Sequence, residues 1–170
     1  MIRQWHSIGQ AWDLMEAREK EDKIRWWEEK RGIRKAQMIS RFSSPVYERV
    51  GFFRSDVLYR TSINISDGNA VVPLWNNNDQ YLTDRMFYGL RHYASRWQGN
   101  TRFNFVPTYV KTHFGQKHKL HSERFLYFLM RGIPLTFDGN ICFVRVRSGG
   151  RVKKQDCKMQ IMTEKLFENW

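Results

Sequence analysis

The chain has 170 residues, 41% hydrophobic and 27% charged, a composition typical of a globular protein of one domain with room for an appended segment. Its 29 Lys and Arg against 17 Asp and Glu give a formal net charge of +12, which favours an anionic partner: nucleic acid, an acidic protein or an anionic membrane face. It lacks an apolar run of about 18 residues and the apolar core of a signal peptide, so we expect neither a membrane span nor a secretory leader.

The two cysteines, Cys142 and Cys157, are too few for a disulfide framework and lack the C-x-x-C spacing of a metal pair. We therefore predict free thiols in a reducing compartment. This indicates a soluble cytosolic or nuclear protein, which would contact a membrane only at its surface.

Residues 4–40 are predicted to be helical because they lack proline and place apolar side chains near helical spacing. The stretch EAREKEDK is charged all round, which indicates a helix partly exposed to solvent. Three interpretations stay open: the helix packs on its own domain, docks as an arm on a neighbouring subunit, or lies on a membrane interface. The residues assigned to the self-association or membrane-interface arm are Trp12, Trp26, Trp27 and Ile33.

Ser44-Pro45 interrupts the predicted helix and indicates a linker. We therefore divide the chain into an N-terminal helical arm (1–42), a linker (43–50) and a core domain (51–170). On this division, removing the arm should leave a folded domain that no longer self-associates.

Two Asp-Gly-Asn turns predict two β-hairpins in the core domain. The first joins a strand with period-two alternation, residues 57–65, to a returning strand at 70–75. The second lies within residues 133–147.

The segment between the hairpins is predicted to be mainly helical. Thr83 can cap a helix that runs to Gln98, and Pro107 favours the start of a short helix at 108–114. Residues 123–132 fit a strand or a helix. The segregation of strands from helices predicts an α+β fold: a twisted antiparallel sheet packed against two or more helices, preceded by the long helical arm.

Residues 85–131 carry nine Lys or Arg and one acid, Glu123, with aromatic residues between the charges. Such a surface can bind the phosphates of nucleic acid or lipid. The plainer interpretation is that the rings form the core and the charges face solvent. A second segment, 145–158, has six bases against Asp156. The residues assigned to binding an anionic membrane or nucleocapsid are Arg91, Arg96, Arg102, Lys111, Lys117, Lys119, Arg151, Lys153 and Lys154.

The sequence predicts no catalytic residue, metal site or cofactor. His113, His118 and His121 have no carboxylate ligand near them in sequence, and the region is too poor in acids for the magnesium site of a nuclease. Phosphate-loop, dinucleotide and nucleophile-elbow motifs are missing. We therefore predict a protein that is not an enzyme, with a histidine-dependent nuclease as the weakest alternative.

A strand at 57–65 leads to a segment containing Leu90-Arg91-His92, then to Trp97 and the turn Gly99-Asn100-Thr101-Arg102, and a hairpin at 133–147 closes the region. In this order, over about residues 50–147, the chain resembles the matrix proteins of rhabdoviruses, and most of all the short ones of plant-infecting members. It departs from the animal-virus pattern in its helical N-terminus and in the single proline of Ser44-Pro45-Val46-Tyr47.

The resemblance implies a non-enzymatic viral structural protein that self-associates, condenses the helical ribonucleoprotein and bridges it to the envelope during assembly and budding. The implied partners are other copies of the chain, the viral nucleoprotein–RNA complex, an anionic membrane surface and the tail of a viral glycoprotein. The implied locations are the virion beneath its envelope, the host cytoplasm, the inner face of host membranes and the nucleus. The alternative is a basic nucleic-acid-binding or capsid-type structural protein, although the K/R-G-F/Y-G/A-F motif is missing.

Overall fold

A computed structural model describes residues 2–29, 45–66, 68–74, 80–146 and 148–152. The helices are α1 (Ile2–Glu29), α2 (Arg91–Trp97), α3 (Gly99–Lys111), α4 (His113–His118) and α5 (Ser122–Leu129). The strands are β1 (Arg49–Phe53), β2 (Val57–Tyr59), β3 (Ala70–Pro73), β4 (Met86–Leu90), β5 (Thr136–Asp138) and β6 (Phe143–Arg145). The predicted α+β class and the long N-terminal helix are confirmed.

Strand β4 lies inside a four-stranded sheet with the order β1-β4-β3-β5. It pairs antiparallel with β1 and β3, whereas β3 and β5 run parallel, so the sheet is mixed. The parallel pair, which the sequence did not predict, forms because the chain crosses over through helices α2 to α5 before β5 returns to the sheet. Strands β2 and β6 form a separate antiparallel ribbon.

Strand β4 is buried on both faces, and the first half of the predicted helix 83–98 is therefore wrong. Met86 and Tyr88 pack in a cluster with Phe143 of the ribbon, while Phe87 packs on the other side with Trp97 of α2. A strand covered on both faces reads as a continuous apolar run, which cannot be distinguished from a buried helix by periodicity. The helix begins only at Arg91.

Both predicted hairpins have the wrong pairing, although strands form near each turn. Strand β2 pairs with β6, with Leu58 opposite Val144, instead of with β3. Packing of Tyr59 against the Phe143 ring, at a centroid distance of 6.2 Å, favours this long-range ribbon over the local turn. The second Asp-Gly-Asn segment still makes the hydrogen bond expected of a turn: Asp138 Oδ1 accepts from the Asn140 N–H at 2.8 Å.

Helix α1 packs against α3 and belongs to the core. Trp5 is 1% exposed and lies against Phe125, with ring centroids 5.2 Å apart, and Trp12 is 6% exposed and stacks on Phe52. Gly99 makes the close approach possible because a Cβ there would overlap the Trp5 carbonyl. The segment set apart as an arm thus packs with residues assigned to the separate core domain.

Two further local predictions are wrong. Helix α3 runs through Pro107 to Lys111, so the predicted short helix at 108–114 does not begin at that proline. Cys142 is disulfide-bonded rather than a free thiol, and the chain's other cysteine, Cys157, lies outside the described residues.

Candidate anion-binding surface

Helices α3, α4 and α5 form a strongly basic layer. Residues 99–131 contain six Lys or Arg and three His but one acid, Glu123. The inward sides of α3 and α5 carry Tyr109, Phe125 and Leu129, which pack with Trp5 in one cluster. Because the rings and aliphatic side chains fill the interior, most of the charged side chains of this layer are left at its surface.

Three lysines lie at one end of this layer, and we call them the lysine end: Lys111, Lys117 and Lys119. Lys111 ends α3, Lys117 lies in the last turn of α4, and Lys119 follows that helix. The Tyr109 hydroxyl donates a hydrogen bond to the Lys119 carbonyl at 2.9 Å, which holds the end of α4 against α3. All three are exposed, and none of the ion pairs among the described residues involves them.

Arg96 and Arg151 are exposed as well, but apart from the lysine end in sequence. The Arg96 guanidinium lies 3.4 Å from the Leu129 carbonyl at the end of α5. Lys153 and Lys154 fall outside the described residues. Of the nine residues assigned to anion binding, the structure therefore places five at the surface.

Arg91 is not a surface ligand, and its assignment to anion binding is wrong. Its guanidinium forms ion pairs with Glu16, at 3.2 Å, and with the buried Glu19, and it lies over the Trp12 ring at 5.3 Å. The side chain is 17% exposed. Arg91 therefore joins α1 to the start of α2.

Arg102 is likewise wrong as a ligand, because it is 1% exposed. Its guanidinium lies between the rings of Trp5 and Trp97, with its carbon 5.8 and 5.4 Å from their centroids, and Nε donates to the Trp97 carbonyl at 2.7 Å. Burial lowers the pKa of Arg102 to about 10, so the side chain remains charged at neutral pH. It cross-links three helices from within.

Acid should weaken the fold partly through Glu19. Burial alone would raise its pKa, but hydrogen bonds from the Tyr47 N–H, at 2.9 Å, and from Arg91 bring the pKa below its usual value. Its contribution to stability is therefore present above the unfolded pKa, near 4.5, and is lost as the pH falls through the folded pKa.

Glu19→Gln should lower the free energy of unfolding at pH 7 by about 1.5–3 kcal/mol, the range for a hydrogen bond to a charged group. It should also lose less stability than the parent between pH 7 and about pH 3. Urea unfolding at both pH values measures this, with the exposed Glu21→Gln as control. An equal loss in parent and Glu19→Gln would show that Glu19 does not contribute.

Asp84 organises a second polar cluster beside α1. Its carboxylate accepts hydrogen bonds from Arg85, Arg54 and Ser122 at 2.7, 3.1 and 3.1 Å. The Arg54 hydrogen bonds hold the pKa of Asp56 below its usual value, and burial raises that of Glu123. A cleft of about 650 Å³ opens here. It is a weak candidate for an anion-binding site because acids already pair with two of its three arginines, Arg54 and Arg85.

The residues assigned to a membrane-interface or docking arm are only partly described. Trp12 is a core residue, so its assignment is wrong for this fold. Trp26 is half-buried. The Trp27 side chain and Ile33 lie outside the described residues. The large apolar side chains most exposed on α1 are instead Leu14 and Ile24, at 71% and 58%.

The three histidines predicted to have no metal role contact different neighbours or solvent. His118 lies against Arg124, His121 meets the Tyr81 ring, and His113 is exposed. Within the described ranges, no three His, Cys, Asp or Glu residues come together as a metal site.

The helices of the same ranges include none with the length and apolarity needed to cross a bilayer.

Sequence reasoning missed a group of half-buried aromatic and basic side chains on the same layer. Tyr81 and Tyr127 were not singled out, yet the guanidiniums of Arg124 and Arg131 lie over their rings. A usable signal was present in and just after α5, where Phe125, Tyr127 and Phe128 lie between Arg124 and Arg131. Tyr81 is distant in sequence, so only the fold could add it.

No family model, curated protein or solved structure matches this chain. The resemblance to rhabdovirus matrix proteins therefore rests on the residues quoted from the sequence.

Proposed function

We propose that this chain is a non-enzymatic structural protein of the matrix type, which binds an anionic membrane surface and nucleocapsid through the lysine end and self-associates. The observation that carries the proposal is the exposure of Lys111, Lys117 and Lys119 together, without ion pairs among the described residues. Solvated positive charges on one short stretch of a folded chain are suited to a surface of phosphates.

The charge distribution supports the same proposal. Helix α1 contains seven acids and five Lys or Arg, whereas residues 99–131 contain one acid and six. Self-association would use apolar residues exposed on α1; among its described side chains these include Leu14 and Ile24. The envelope, the glycoprotein tail and the virion come to the proposal from the resemblance alone.

The expected strength of membrane binding also suits a protein that works in many copies. A base near an anionic bilayer contributes about 1 kcal/mol, so the lysine end supplies about 3 kcal/mol. One copy should bind weakly. Copies joined by self-association bind the same surface together, which raises the effective affinity by orders of magnitude.

Flotation tests the proposal. The protein should float with phosphatidylserine-containing vesicles at about 0.1 M salt and not at about 1 M, where the Debye length falls from about 10 to about 3 Å. It should stay at the bottom with phosphatidylcholine vesicles. A protein that shifts RNA in a gel but floats with neither vesicle would support the nucleic-acid-binding or capsid alternative and contradict the matrix proposal.

A further inference from the structure

Seven side chains form a continuous series of rings and cations across α4, α5, the residues that flank α5, and Tyr81. The Arg124 guanidinium carbon lies 4.6 Å from the Tyr81 ring centroid, and that of Arg131 lies 5.2 Å from the Tyr127 centroid. His118 and Phe114 join the two ends, with centroids 4.6 Å apart. We call the set the cation–aromatic strip: Tyr81, Phe114, His118, His121, Arg124, Tyr127 and Arg131.

The arginines of the strip keep part of their hydrogen-bonding capacity, although the Arg124 Nε–H is buried and Nη1 contacts His118. Stacking uses the flat face of a guanidinium and leaves N–H groups at its edge for a phosphate. Arg131 is exposed, and the described residues make no ion pair with it. Glu123, the acid next to Arg124 in sequence, lies 3.8 Å from Arg85. Among the described residues, the two arginines of the strip thus offer positive charge beside rings without an ion pair to a carboxylate.

A groove beside the strip is suited to a flat apolar group. Its volume is about 340 Å³, within the usual range of ligand pockets. The exposed Arg131 lies at its edge, and Phe137 is 39% exposed. The rings that line it are Tyr81, Tyr127 and Phe137.

We infer that the cation–aromatic strip and its groove bind single-stranded nucleic acid, with bases stacked on Tyr81 and Tyr127 and phosphates held by Arg124 and Arg131. Aromatic platforms interleaved with cations are how proteins bind single strands without reading sequence. A bilayer surface cannot bring flat groups into a concave groove, and a duplex keeps its bases stacked inside. The inference extends the proposed function by giving the nucleocapsid's RNA a separate site on the same helical layer.

The test uses the full chain, a labelled oligouridine of about ten nucleotides, and fluorescence anisotropy. Tyr81→Leu/Tyr127→Leu removes both stacking rings without changing charge, and should weaken binding at least tenfold. Tyr81→Phe/Tyr127→Phe keeps the rings and should bind like the parent. Polyphosphate, which has the charge but no bases, should bind all three proteins equally.

Arg131→Gln provides a second variant that does not depend on how the core tolerates leucine. It should weaken oligouridine binding and reduce the slope of log affinity against log salt by about one. Two results would overturn the inference. One is that the double-leucine variant, Tyr81→Leu/Tyr127→Leu, binds oligouridine as tightly as the parent does. The other is that this variant loses as much affinity for polyphosphate as it loses for oligouridine. If the double-leucine variant is unfolded, Arg131→Gln decides: an unchanged slope of log oligouridine affinity against log salt would overturn the inference.

Vesicle flotation separates this inference from the proposed function. The double-leucine variant should float with phosphatidylserine-containing vesicles as the parent does, because the lysine end is intact. If the parent fails to float yet binds oligouridine through its tyrosines, the matrix proposal fails and the strip stands. If the parent floats but the tyrosines do not affect oligouridine binding, only the strip fails.

Discussion

Replacing Asp84 with asparagine should lower the free energy of unfolding by about 3–5 kcal/mol, the usual cost of removing one partner from a buried ion pair. The Asp84 side chain is 5% exposed, and the arginines that it pairs, Arg54 and Arg85, are 23% and 13% exposed. Asparagine preserves the shape but removes the charge, leaving Arg85 with Glu123 at 3.8 Å. The Ser122 hydroxyl would also lose its carboxylate acceptor.

Urea unfolding followed by circular dichroism measures this loss. The matched control is Glu21→Gln, which removes a carboxylate from an exposed pair with Arg18 at 3.4 Å and should cost less than about 1 kcal/mol. If both variants lose a comparably small amount of unfolding free energy, the Asp84 cluster is effectively solvated and does not stabilise the packing of the sheet against α5.

Removing residues 1–29 should abolish cooperative folding. Truncating a buried tryptophan to alanine typically costs about 3–5 kcal/mol, and α1 supplies both Trp5 and Trp12 to the core. Their loss together approaches the whole stability of an ordinary domain, about 5–15 kcal/mol. Deletion would also leave Arg91 without Glu16 and Glu19. The structure thus reverses the expectation, drawn from the sequence, that the segment is a removable arm.

A thermal melt and an amide NMR spectrum of the shortened chain give the result. We expect no sharp transition and poor dispersion of the amide resonances. Trp5→Ala in the full chain should lower the melting temperature strongly, whereas Leu14→Ala, at a site 71% exposed on the same helix, should change it little. A sharp melt from the shortened chain would restore the division between arm and core.

The sequence predicted the elements of this fold better than their pairing. Period-two alternation located β2, and the Asp-Gly-Asn segments lie next to β3 and β5, but local turn signals cannot say which strand lies alongside another. Strand β4 was missed because residues 86–90 are covered on both faces, so its apolar run lacks the alternation of a half-exposed strand.

The basic residues show a similar limit. Counting charges picked out Lys111, Lys117 and Lys119, and the structure places all three at the surface. The same count misassigned Arg91 and Arg102. The acids that pair with Arg91, and one of the two rings beside Arg102, come from α1, some 70 to 100 residues earlier. Tertiary contacts decide whether a cation is a ligand or a cross-link, and composition does not contain them.

Vesicle flotation of a charge-reversed lysine end decides whether that surface is the membrane-binding site. The variant is Lys111→Glu/Lys117→Glu/Lys119→Glu. Its control, Arg3→Glu/Lys20→Glu/Arg60→Glu, has the same net charge but changes exposed residues elsewhere. At about 0.1 M salt, the parent and the control should float with phosphatidylserine-containing vesicles and the lysine-end variant should not, with equal circular dichroism for all three. A lysine-end variant that floats as well as its charge-matched control would contradict the proposed site.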